Sequence, residues 1–64
     1  MKAVCIDNNK YEIELTIGKS YDVLKTRSPF SEGDRYKYYV ESDDSKPRWF
    51  SFYRFQLIED NIYN

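Results

Sequence analysis

The chain has 64 residues, enough for one domain with a small core, since a chain this short buries only about 60% of the surface its unfolded form exposes. Ten Lys and Arg stand against eleven Asp and Glu, a formal net charge of −1. That balance argues against a protein held to nucleic acid by bulk positive charge and equally against an acidic mimic of a nucleic-acid backbone.

With no histidine and a single cysteine, the sequence excludes His-based acid–base catalysis, catalytic triads, His ligation of metals, an internal disulfide and a zinc–thiolate cluster. Seven Tyr, four Phe and one Trp make 19% of the chain. Disordered chains are poor in such residues, so the composition predicts a folded domain whose core is built from rings. A secreted domain of this size ordinarily relies on several disulfides, and the four-residue apolar run near the start is too short for a signal peptide. No apolar run approaches the roughly 18 residues of a membrane span. The expected setting is therefore reducing and cytoplasmic, with no membrane association, and the chain reads as a complete small gene product or as one domain cut at its boundary.

Residues 2–6, KAVCI, are a short apolar run closed by the turn cluster Asp7-Asn8-Asn9-Lys10. Cys5 sits in that run as a small buried residue, with no sequence neighbour to activate its thiol. Residues 11–15, YEIEL, alternate strictly, which predicts a half-exposed strand with Tyr11, Ile13 and Leu15 on one side and Glu12 and Glu14 on a solvated outer face. Thr16 to Ser20 form a turn about Gly18, a residue that takes positive φ without strain. Gly18-Lys19-Ser20 has the look of the end of a phosphate-binding loop, but Ile13 stands where such a loop needs another glycine, and a strand follows where it needs a helix. That strand spans 20–26, with Tyr21 and Val23 inward. Residues 27–34, RSPFSEGD, form the longest loop and carry Phe30 at its centre, either tucked over an open end of the fold or displayed to a partner.

Residues 35–42, RYKYYVES, predict a strand with Tyr36, Tyr38 and Val40 in the core and Tyr39 outside. Asp43 to Lys46 form a hairpin turn, and Pro47 fits only as the first residue of the next strand. Residues 48–53, RWFSFY, predict that strand, with Phe50 and Phe52 inward and Trp49, Ser51 and Tyr53 outward. Arg54-Phe55-Gln56 reads as a short helical turn before a last strand, and residues 60–64 as a polar tail that frays. The whole predicts an all-β domain over 1–64: a small five-stranded barrel with a short 3-10 turn before its last strand, closed so that no edge is exposed.

The segment Trp49 to Ile58, WFSFYRFQLI, is similar in spacing to the end of SH3 domains, and Leu15 to Val23 to the stretch leading into their second strand. Together with Val4-Cys5-Ile6-Asp7 and Tyr38-Tyr39-Val40-Glu41-Ser42-Asp43, these pieces resemble small uncharacterised SH3-like proteins carried by phages and prophages of Gram-positive bacteria, over most of residues 4–58. The resemblance implies an SH3-like barrel in a bacterial host and leaves function open. It does not extend to the proline-binding groove of true SH3 domains. The N-terminal Ala-Leu-Tyr-Asp motif is missing, Ser51 takes the Pro position and Arg54 the Tyr position, and only Trp49 matches.

The reading that follows is a non-enzymatic module that binds protein, with Trp49, Tyr53, Tyr39 and Phe30 displayed among Arg48, Arg54 and Arg35, and with a phage accessory protein acting on a host protein as its setting. The alternative is a barrel that binds single-stranded nucleic acid by stacking bases on Trp49 within a patch of Lys46, Arg48 and Arg54. A homodimer joined through two copies of the aromatic surface also fits. No catalytic residue, cofactor or metal is expected.

Overall fold

The computed structural model describes residues 1–58, so the expected tail at 60–64 lies outside the described residues. It contains five strands and one 3-10 turn: β1 (Lys2–Cys5), β2 (Ser20–Arg27), β3 (Lys37–Glu41), β4 (Pro47–Ser51), the turn Phe52–Arg54, and β5 (Phe55–Ile58). The chain is all-β, as the alternating patterns predict. The strands form one sheet in the order β4-β3-β2-β1-β5 with every neighbouring pair antiparallel. Among the described residues no ladder joins β4 to β5, so the sheet is not closed into the ring that the expected barrel requires.

The strand β2 belongs to two ladders. Ser20–Asp22 pair with β1, and Val23–Arg27 pair with β3. The changeover is a register shift: Val23 faces Val40 and Lys25 faces Tyr39, leaving Leu24 as an extra residue. Such a bulge bends its strand and sharpens the local twist. The bend folds the two halves of the sheet toward one another, and rings fill the space between. Phe55 of β5 lies 6.1 Å from Phe50 of β4, 6.1 Å from Tyr38 of β3 and 6.2 Å from Tyr21 of β2, centroid to centroid. Ala3, Cys5, Val40 and Leu15 complete the core. The aromatic core anticipated from composition is present.

Four local expectations are corrected. Residues 11–15 are not a strand. Tyr11 N–H donates to the Asn8 carbonyl, and both Glu14 and Leu15 donate to the Tyr11 carbonyl, at 3.1 and 2.9 Å, which winds the segment into a single helical turn after Lys10 at φ 73°. A five-residue alternation also contains an i, i+4 pair, and the turn uses it. Leu15 is buried and Tyr11 packs its edge on Phe50 at 5.2 Å, while Ile13 is 81% exposed.

Tyr36, expected in the core, precedes β3 and is exposed. Its carbonyl accepts the Phe52 N–H at 3.0 Å. Phe52, expected inward beside Phe50, leaves the strand there and opens the 3-10 turn, exposed. That turn was expected at 54–56. It forms two residues earlier because Phe55 is needed as a strand residue opposite Cys5, where its ring enters the core.

The β3–β4 hairpin is tied to the loop before β2 by one carboxylate. Asp43 accepts from Lys19 Nζ (2.6 Å), from the Thr16 hydroxyl (2.6 Å) and from the Tyr21 hydroxyl (3.0 Å), and its N–H donates to the Glu14 carbonyl. The Lys19 ammonium, then the Thr16 hydroxyl, hold the Asp43 carboxyl below the usual carboxylate range. The Ser42 hydroxyl, then Arg48, lower Asp44 to about 2. Carboxyls with lowered folded-state pKa values stabilise the fold above their unfolded pKa, about 3.9, and that stabilisation is lost as pH falls through the folded values. Thermal melts are therefore expected to be flat above about pH 5 and to fall steeply as the pH approaches 2. Asp43→Asn should lower the melting temperature at neutral pH and shallow the acid limb. An acid limb identical to wild type in that variant would contradict the assignment.

Candidate functional site

The outer face of β2, β3 and β4 is organised by cross-strand register. Lys25, Tyr39 and Trp49 stand in one row across the three strands, and Arg27, Lys37 and Ser51 in the next. Side chains directly opposite on adjacent strands are close enough to touch. Tyr39 and Trp49 do so, with ring centroids 4.8 Å apart and planes tilted by 43°. Lys25 Nζ lies 5.4 Å from the Tyr39 ring, and the Arg27 guanidinium lies 5.8 Å from Trp49 and 4.6 Å from Phe30. Each of these cations is within reach of a ring quadrupole. Trp49 is 39% exposed and Phe30 is 78% exposed. The loop after β2 thus delivers Phe30 to the edge of the same face through Arg27, while the Phe30 N–H donates to Asp34 at 2.9 Å and fixes the loop.

Of the residues singled out from the sequence, Trp49, Tyr39 and Phe30 come together here. The others do not join them. Tyr53 sits on the 3-10 turn, in edge contact with Phe52 at 6.1 Å and with the Arg35 and Arg54 guanidiniums each 5.4 Å from its ring. Arg48 alternates to the opposite side of β4 from Trp49 and folds onto the hairpin turn, where it pairs with Asp44 and donates to the Ser42 hydroxyl at 3.3 Å. Arg54, expected on display, is 8% exposed. Its Nη1 donates to the Asn9 carbonyl at 2.9 Å and to Asp7 Oδ1 at 3.3 Å, and its guanidinium covers the Tyr11 ring at 4.6 Å. The side chain is a clamp on the loop after β1, because a buried guanidinium must have acceptors. The patch of Lys46, Arg48 and Arg54 about Trp49 does not assemble. Lys46 lies in the hairpin turn, its backbone bonded to Asp44.

The cations that do reach the rings, Lys25 and Arg27, were missed. Plain alternation from the inward pair Tyr21 and Val23 sends both of them inward, and the extra residue at Leu24 turns them out. A depression on the same sheet, where β2 turns away from β3, is lined by Lys19, Asp22, Leu24, Glu41 and Asp43 among others. Its carboxylates Asp22 and Asp43 are already paired with Lys2 and Lys19. Cys5 is buried, and desolvation pushes its thiol up, away from the reactive thiolate. Among the described residues no set of three or more Cys, Asp or Glu is placed to hold a metal ion, and no helix is long and apolar enough to cross a membrane. No family model matches the chain, and neither a curated protein nor a solved structure does.

Proposed function

We propose that the protein is a non-enzymatic, SH3-like binding module that recognises another protein through the outer face of β2–β3–β4. The order β4-β3-β2-β1-β5 and the 3-10 turn directly ahead of β5 support the SH3-like reading, and the resemblance to phage proteins supports a cytoplasmic accessory role in a bacterial host. The observation that carries the binding role is the cluster of exposed Trp49 and Phe30 with half-buried Tyr39 on one face, held in place by Lys25 and Arg27. Rigid aromatic side chains with Arg among them supply most hot spots of protein interfaces, and they lose little entropy when a partner covers them.

The test is affinity capture from extract of the cell in which the chain is made, comparing wild type with Trp49→Ala/Phe30→Ala. A protein retained by the wild type and lost from the variant is the expected result, and the variant should keep its fold. Identical captured proteins in both samples would sink the assignment of the face. Titration with fluorescent single-stranded DNA and RNA decides the second class: saturable binding centred on Trp49 would replace the protein reading.

A further inference from the structure

The centre of this face holds a guanidinium paired with a carboxylate that stands too far away to hydrogen-bond it. Arg27 Nε is buried and has no acceptor, and Asp34 forms an ion pair with Nη2 at 3.7 Å, outside hydrogen-bond distance. Phe30 and Trp49 fix the position of the group without satisfying any of its donors. Lys37 is its cross-strand neighbour, and Lys25 lies two residues away on the same strand face. Among the described residues two acids approach the face, Asp34 beside Arg27 and Glu41 at the far end of β3, against three cations in the two central rows.

We infer that the face receives an extended acidic segment of the partner protein, with carboxylates two residues apart set against Lys25 and Arg27. The inference rests on the reading that this face binds protein. Residues i and i+2 of one strand stand about 7 Å apart on the same face, and so do alternate side chains of an extended peptide. A guanidinium whose carboxylate partner stands beyond hydrogen-bond distance can take a second carboxylate through charge-assisted hydrogen bonds. The ring geometry separates a peptide from a nucleic-acid strand. Stacking successive bases requires several open ring faces, whereas Tyr39 has Lys25 over it and leans on Trp49, and Phe30, with Arg27 over one face, is the one ring of the three that stays mostly exposed. The cationic heads and the electropositive ring edges are what the surface offers, and both suit carboxylates.

The experiment titrates the folded protein with acetyl-Glu-Ser-Glu-Ser-Glu-amide, with its Gln counterpart and with a thymidine oligonucleotide, following Trp49 fluorescence and backbone amide shifts. The Glu peptide should shift Lys25, Arg27, Tyr39 and Trp49, bind about tenfold more weakly in about 0.5 M NaCl, and lose its effect in Lys25→Glu/Arg27→Gln, a variant at exposed or half-exposed positions whose fold the same spectra check. Equal binding of the Gln peptide would overturn the acidic specificity while leaving a protein-binding face intact. Binding of the oligonucleotide alone would overturn both. Silence from all three probes would overturn the inference, with the capture experiment still deciding the reading beneath it.

Discussion

Phe50→Ala is expected to unfold most of the population at room temperature. Phe50 is buried, packs against the Tyr11 edge and Phe55, and sits opposite Tyr38 in the β3–β4 ladder. It therefore joins the two halves of the sheet and pins the helical turn at 11–15. Removing a buried Phe costs about 3–5 kcal/mol. A domain of this length holds about 3–10 kcal/mol in total, at about 0.05–0.15 kcal/mol per residue. Its immediate neighbour gives the control. Trp49→Ala removes an outward ring whose contact with Tyr39 is worth about 1 kcal/mol, and the fold should survive. Denaturant curves for the two variants check the inside–outside division of β4 directly. A larger loss for Trp49→Ala than for Phe50→Ala would reverse it.

Arg54→Ala should be the second most damaging change, at about 2–3 kcal/mol, although charged residues at such positions in a sequence are usually solvated. The loss is that of charge-assisted hydrogen bonds to the Asn9 carbonyl and the Asp7 carboxylate, together with the packing on Tyr11. Arg54→Lys should recover only part of it, because one ammonium does not span both acceptors and cover the ring as a planar guanidinium does. The measurement is chemical denaturation of both variants, with amide exchange at residues 7–11 as the local readout. An Arg54→Ala protein as stable as wild type, with unchanged exchange in that loop, would show that the clamp carries no weight.

The strands β1 to β4, the hairpin turn and the aromatic core were legible because period-two burial and turn residues report directly on a sheet. The segment 11–15 was misread because five alternating residues satisfy a strand and one helical turn equally well. Arg54 was misread because nothing local marks an arginine as buried; its acceptors lie 45 to 47 residues away in the chain. Within the candidate site, Trp49 and Tyr39 could be placed from alternation alone. Their cationic neighbours could not, because a single extra residue at Leu24 inverts which side of β2 the rest of the strand presents. A bulge of this kind has no composition of its own here, with neither glycine nor proline to announce it. Asp43 was likewise recognised as a turn residue and not as the anchor of the loop before β2.

The two turn acids of the β3–β4 hairpin are neutralised there, Asp43 by Lys19 and Asp44 by Arg48. Asp43 and Asp44 sit at its turn, while Lys37 lies at its open end, with Arg27 beside it in register. Five strand residues span about 17 Å, roughly twice the distance over which dissolved ions at physiological strength damp an electric field. An approaching anion therefore senses the basic end with little contribution from the distant, already paired acids, so the near-zero total charge understates the pull. Encounters will be oriented before they touch, and their rate will be set by this local field rather than by the sum over the chain.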